Sequence, residues 1–311
     1  MPEPLALITL KPTNMKTTIL SILLLAILII ASGQEVNTFL SADDEELFYT
    51  KYGDGPVVVF LYGGPGYAVS AMKPWADSLS YDLKCILFDQ RGTGLSSNVK
   101  LDTSTINLKR AVQDLDDLRA HLKIDKLTLC GISWGGMLAQ AYAAYFPNNT
   151  SKIVLVSTLG PDLSTMQAFT DNMDMRRFPN ERDSLEFWQK QPTTDYSMMK
   201  ISYYSFIPEF YDHDIGSRML PVFFEATTYH SEMGNLMWRD LYSKYDLKSH
   251  LSRYNGDCII IRPRQDPVPA EAIYQIKEIL PQTKIFRIEK CGHFPDYEKP
   301  EELFRILRQV L

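Results

Sequence analysis

Hydrophobic residues collect in six short runs, at 57–61, 85–88, 127–130, 153–156, 258–261 and 284–288, with helical or turn patterns between them. These runs lack strict alternation with polar residues. Such segments suit strands covered on both faces, as in a mostly parallel sheet flanked by helices. Between 108 and 122, Leu108, Ala111, Val112, Leu115, Leu118 and Leu122 recur at helical spacing, and Leu303, Phe304, Leu307 and Val310 repeat the pattern over 301–311. Strands alternating with helices predict an α/β sheet with right-handed crossovers.

The alternation stops after Leu159-Gly160-Pro161. From there to about Tyr254 clear strand runs are absent, and aromatic and methionine residues are dense, as in Phe187-Trp188, Tyr203-Tyr204, Phe223-Phe224 and Met237-Trp238. This predicts a helical cap over 161–254, inserted into a core built from 34–160 and 255–311. Such a cap would fold over the carboxyl edge of the sheet, where ligands bind in open α/β folds.

The N-terminus reads differently. Met15-Lys16 precedes a nearly unbroken apolar stretch at 19–30, then Ala31-Ser32-Gly33-Gln34. A charged start, a short apolar region and small residues before the cut predict an export signal over 1–33, with 1–14 as an upstream extension. The apolar stretch falls short of the roughly 20 residues of a membrane-spanning helix. The expected localisation is therefore periplasmic or secreted, with no stable membrane span after signal cleavage. An uncleaved signal acting as a membrane anchor is the alternative.

Apolar content of 45% and charged content of 23% fit a globular chain rather than a disordered one. A net charge of −6 and the lack of a basic cluster argue against nucleic acid as a partner. Of the four cysteines, Cys85, Cys130 and Cys258 fall in predicted strands, where free thiols behave as small buried hydrophobes. Cys291 stands two residues before His293, and no C-x-x-C spacing points to zinc.

The chemistry centres on Gly131-Ile132-Ser133-Trp134-Gly135-Gly136, between the apolar run Leu127-Thr128-Leu129 and a helical pattern from Met137. A serine between glycines at a strand-to-helix turn predicts a nucleophile elbow. The following helix also aims its N-terminal N–H groups at the place where negative charge develops. A serine hydroxyl needs a base, and the base needs an orienting carboxylate. Among the five histidines, His293 follows the last predicted strand and leaves the same edge as Ser133. His121 lies late in a core helix, and His213, His230 and His250 lie in the predicted cap. Asp266 follows the 258–261 run on a Pro-rich turn, whereas its competitor Asp257 enters that strand. The order Ser133, Asp266, His293 is that of an α/β-hydrolase fold. Tyr62-Gly63-Gly64-Pro65-Gly66 follows the 57–61 strand, so Gly64 and Trp134 are expected to donate the two N–H groups of an oxyanion hole. Asp89 and Arg91 are expected to pair with each other and brace the loops beside the site.

Gly63-Gly64-Pro65-Gly66, the segment from Asp89-Gln90-Arg91-Gly92 to Ser96, Gly131-Ile132-Ser133-Trp134-Gly135-Gly136 and Gly292-His293 together resemble the prolyl aminopeptidase (proline iminopeptidase) family of α/β-hydrolase serine peptidases. The likeness spans the chain after the signal apart from the cap. It implies an inserted-cap α/β-hydrolase fold and release of an N-terminal residue, often proline, from short peptides. Neither a metal nor an organic cofactor is required. Family members usually carry histidine before Gly-Gly-Pro-Gly, where this chain has Tyr62. They also hold the substrate's α-amine with acidic cap residues. Glu225 and Glu232, seven residues apart, would share one face of a continuous helix and form such a clamp. The alternative is a carboxylesterase or other acyl hydrolase with the same triad and no clamp. A non-catalytic binding protein would require loss of a triad member, and all three are present. The expected partner is a short peptide or a small acyl substrate.

Overall fold

A computed structural model describes residues 34–311; the export signal expected over 1–33 lies outside the described residues. Eight strands form one sheet: β1 (Gln34–Leu40), β2 (Glu46–Tyr52), β3 (Val57–Leu61), β4 (Lys84–Phe88), β5 (Leu127–Ile132), β6 (Thr150–Val156), β7 (Asp257–Pro263) and β8 (Lys284–Ile288). Their order across the sheet is β1-β2-β4-β3-β5-β6-β7-β8. Every pairing from β4 to β8 is parallel, while β1 and β2 add an antiparallel edge.

The six apolar runs occupy β3 to β8, and burial explains their lack of alternation. In β3, Val59 and Leu61 join the core on one face while Val58 and Phe60 join the core on the other, all essentially inaccessible. Each such side chain contributes about 1.5–3 kcal/mol by leaving water. The edge hairpin has a weaker signature, because only Phe39 of β1 is buried.

The crossover helices of the first half are α1 (Lys73–Leu79), α2 (Leu108–His121) and α3 (Trp134–Tyr145). α2 buries Leu108, Ala111, Val112, Leu115 and Leu118, and the Asn107 side chain caps it by accepting the Arg110 N–H at 3.0 Å. Such caps are worth about 1 kcal/mol. Between β6 and β7 run α4 (Met166–Arg176), α5 (Pro179–Gln189), α6 (Asp195–Phe206), the 3₁₀ turn Ile207–Glu209, α7 (His213–Ala226), α8 (Ser231–Lys244) and α9 (Lys248–Leu251). The chain closes with α10 (Ala270–Ile279), the short α11 (Pro295–Glu298) and α12 (Pro300–Val310). No described helix is long and apolar enough to cross a membrane. All four cysteines are free and buried.

Two sequence expectations are corrected. Asp89 and Arg91 do not pair. Arg91 forks between Asp114, at 2.8 Å through Nε, and Asp43, at 3.0 Å through Nη1, whereas Asp89 accepts the N–H groups of Val69 and Leu95 at 3.2 Å. Nor do Glu225 and Glu232 share a helix. Glu225 ends α7 and Glu232 begins α8, and both are exposed. The break lies at Thr227–Thr228–Tyr229–His230, where Tyr229 bridges back to Tyr67 and the Thr227 hydroxyl donates to the Ala68 carbonyl at 3.0 Å.

Candidate active site

The parallel strands deliver four loops to one edge. β5 ends at Ile132, and Ser133 adopts φ 54° and ψ −121° before α3 begins at Trp134. A non-glycine residue at such angles costs on the order of 1–3 kcal/mol, so its surroundings must hold it there. The Ser133 N–H donates to the Val156 carbonyl at 2.9 Å, and its carbonyl accepts from Gly136 N–H at 2.9 Å and the Thr158 hydroxyl at 3.2 Å. The turn is tight enough that a methyl group at Gly131 would overlap the Gly135 backbone, and one at Gly135 would overlap the Leu61 carbonyl. Only hydrogen fits at either place.

The loop after β3 passes directly over the serine. A methyl at Gly63 would stand 3.0 Å from Ser133 Cβ and 3.6 Å from Oγ. Gly64, the next residue, lines the same cavity as Ser133 and Trp134. Trp134 is held from behind, its indole N–H donating to Gln90 Oε1 at 2.7 Å. Those contacts place two glycine-loop residues and the first turn of α3 around one spot.

β7 and β8 are paired neighbours, with Pro263 opposite Ile288, so the loops that follow them run side by side. They are laced together: Gln265 N–H donates to the Cys291 carbonyl at 3.0 Å, and Cys291 N–H returns a bond to Gln265 Oε1 at 3.1 Å. This lacing brings Asp266 Oδ1 within 3.0 Å of His293 Nδ1, while the same oxygen accepts the Val268 N–H at 2.9 Å. Both side chains are buried. Asp257 starts β7 at the opposite end and is exposed. Of the other histidines, His121 meets Tyr49 and His213 meets Glu181, and His293 is the histidine that lines the cavity.

A third ionisable group joins Asp266 and His293, and the sequence reading missed it. Glu209, in the turn between α6 and α7, is buried in the cavity, with Oε2 3.9 Å from His293 Nε2. Its main-chain carbonyl accepts the His293 N–H at 2.6 Å. A signal was present: one glutamate stands inside the apolar run Phe206-Ile207-Pro208-Glu209-Phe210, where Ile207 and Phe210 are buried. A carboxylate flanked on both sides by core residues has no path to solvent along its own backbone. Glu225 and Glu232 do not reach the cavity.

Burial weakens the charged form of every one of these groups, and their mutual charges decide the outcome. For His293, burial favours the neutral ring, but the negative charges of Asp266 and Glu209 and the Asp266 hydrogen bond outweigh it, raising the imidazole to about 9. For Glu209, burial dominates and pushes the carboxyl up to about 7, against the pull of the imidazolium. Asp266 is also opposed by burial, yet its charge and hydrogen-bond partnership with His293 holds it below the usual carboxylate range.

The cavity lined by Ser133, His293 and Glu209 is about 310 Å³. Its far wall is largely apolar and comes from the cap, including Met166, Phe169, Ile201, Phe206, Phe223 and Trp238. Among the described residues, no group of three or more His, Cys, Asp or Glu side chains converges as a metal site does.

Comparison with known proteins agrees with this geometry at the level of family. Residues 56–300 match the alpha/beta hydrolase fold family. A proline iminopeptidase from Heyndrickxia coagulans is 25% identical over 279 residues, covering 85% of this chain and 93% of that one. A proline iminopeptidase from Xylella fastidiosa is 38% identical over 117 residues, or 36% of each chain. Among solved structures, an alpha/beta fold family hydrolase from Bacillus anthracis superposes with a TM-score of 0.73 at 18% identity, over 89% of this chain and 99% of that one. With the sheet order, the strained serine turn and the family match in agreement, the chain belongs to the alpha/beta hydrolase fold family.

Proposed function

We propose that this protein is a serine hydrolase that releases the N-terminal residue of short peptides through an acyl-enzyme. Ser133 is the nucleophile, His293 the base and Asp266 the group that orients it. His293 Nε2 takes the hydroxyl proton as Ser133 Oγ attacks the carbonyl of the first residue. The N–H groups of Gly64 and Trp134 stabilise the oxyanion. His293 then gives its proton to the departing amine, and water, activated by the same imidazole, frees the acyl group.

The observation that carries the aminopeptidase reading is Glu209. A buried carboxylate 3.9 Å from the proposed catalytic imidazole supports this reading, because it can pair with the ammonium of a substrate's first residue. Ion pairing strengthens away from water, so one buried carboxylate can select a free N-terminus. Pairing also acts on the base. Once a substrate ammonium neutralises Glu209, the imidazole loses one of the charges that hold its proton and becomes a better base. The apolar cap wall receives the side chain of the first residue, and it would equally suit a simple acyl ester, the alternative reading.

Hydrolysis of free and N-acetylated aminoacyl naphthylamides, proline among them, separates the two. The aminopeptidase reading expects strong preference for the free amine and loss of that preference in Glu209→Gln. Equal turnover of blocked and free substrates, or turnover of simple esters alone, would favour the esterase. Export to the periplasm or the exterior remains part of the proposal, supported by the pattern at 15–34.

A further inference from the structure

One cap helix touches every part of the charge constellation. α4 presents Phe169, Asn172 and Arg176 three and four residues apart, which places them on one stripe. The Phe169 ring lies 6.2 Å from the His293 imidazole. Asn172 Nδ2 donates to the Pro267 carbonyl at 2.8 Å. Arg176 donates through Nη1 to the Gln265 carbonyl and through Nη2 to the Phe210 carbonyl at 2.9 Å. The carbonyls of the residues on both sides of Asp266, Gln265 and Pro267, are therefore tied to the same helix, as is that of the residue that follows Glu209. Neutral donors would satisfy these carbonyls equally well. The stripe instead ends in a guanidinium that faces the carboxylates of Asp266, Glu298 and Glu209.

We propose that α4 is a clamp for the triad acid. Asn172 and Arg176 are positioning residues that hold the Asp266 turn from both sides, so that seating of this cap helix and alignment of His293 by Asp266 are coupled. Hydrogen bonds weaken steeply once donor and acceptor separate by more than about 3.5 Å. A small lift of α4 thus frees the acid loop, and settling of α4 restores it. The inference rests on the reading of Ser133, Asp266 and His293 as a triad.

The test compares Asn172→Leu, Arg176→Met and Arg176→Lys with the unaltered protein. Steady-state kinetics on an aminoacyl naphthylamide, the pH dependence of Ser133 labelling by an uncharged fluorophosphonate, and the thermal midpoint are measured for each. Misplacing a catalytic group by about 1 Å can cost roughly 100-fold. The clamp therefore predicts that kcat falls on the order of 10- to 100-fold in Asn172→Leu and Arg176→Met, with KM little changed. Arg176→Lys keeps the buried stem and the charge, guards against a variant that does not fold, and recovers part of the loss.

The pH profile separates alignment from charge. His293 is faced by Asp266, Glu209 and Asp296, all of which favour its proton. If the clamp is real, both neutral variants loosen Asp266 and move the acidic limb of labelling to lower pH. If Arg176 acts only as a nearby cation, its removal favours the imidazolium, the limb moves to higher pH, and Asn172→Leu leaves it in place. That outcome overturns the proposal, as does a lowered thermal midpoint with kcat and limb unchanged, the mark of a simple cap-to-core staple. Absence of labelling at Ser133 in the unaltered protein would instead refute the triad reading itself.

Discussion

Glu209 meets His293 at both ends of the residue. The glutamate's main-chain carbonyl accepts the His293 N–H at 2.6 Å, and its carboxylate Oε2 lies 3.9 Å from Nε2. The first contact fixes the loop that carries His293; the second puts a carboxylate beside the Nε2 that the proposed mechanism uses as base. A residue inserted between β6 and β7 thereby contacts the histidine carried by the loop after β8.

Replacing that carboxylate tests what it is for. A buried hydrogen bond to a charged group is worth about 1.5–3 kcal/mol, or roughly 10- to 150-fold. Glu209→Gln is expected to lower kcat/KM on free aminoacyl naphthylamides by about that factor, while turnover of N-acetylated or simple ester substrates holds or improves. Parallel losses on both substrate types would show that Glu209 supports the loop and does not read the amine.

The acidic limb of activity carries a sign. With its proton held by Asp266 and Glu209, His293 rises to about 9 from an ordinary 6.5. The free base, and with it reactivity, is gained only as pH climbs toward the raised value. Labelling of Ser133 by an uncharged fluorophosphonate should therefore increase with pH through a midpoint above 6.5. Glu209→Gln removes one of these charges and should move that midpoint downward. A midpoint at or below the ordinary imidazole value in the unaltered protein would contradict the assignment.

Crowding over the nucleophile gives a third expectation. A methyl at residue 63 would sit 3.0 Å from Ser133 Cβ, closer than ordinary packing permits. Gly63→Ala must displace either the elbow or the glycine loop that presents Gly64. Loss of one oxyanion donor typically costs on the order of 100- to 1,000-fold, and kcat should fall by about this much with KM nearly constant. Unchanged kcat would remove this loop from the oxyanion site.

Stability is expected to hinge elsewhere. Arg91 is buried between Asp114 and Asp43, and Asp114 is equally buried. Removing one member of a buried ion pair leaves the other uncompensated, at a cost of about 3–5 kcal/mol. Arg91→Ala should lower the free energy of unfolding in urea by that amount, whereas a surface pair such as Lys73 with Asp77 should contribute under about 1 kcal/mol.

The sheet and the serine, aspartate and histidine positions were legible because each rule used was local. Apolar runs buried on both faces read as strands, and loops that follow parallel strands must emerge at one edge. Ser133, Asp266 and His293 each follow such a run. β1 and β2 were not seen, because an edge hairpin with Phe39 as the buried residue of its first strand presents little apolar pattern. The expectation that Glu225 and Glu232 share a helix face failed for a different reason. Seven-residue spacing places Glu225 and Glu232 on one face only if the helix is continuous, and the Thr227–Thr228–Tyr229 stretch instead leaves the helix to bond with the loop at Ala68. Glu209 lies in a short turn with no periodicity, so its role depends on tertiary packing that local rules do not see.

The most direct measurement is covalent capture of the nucleophile. Exposure to a fluorophosphonate, followed by mass analysis of the peptide containing residue 133, should find the adduct on Ser133. Ser133→Ala should carry none and lose kcat on the order of a millionfold. A folded, unreactive Ser133, or an adduct on another residue with hydrolysis surviving in Ser133→Ala, would contradict the account.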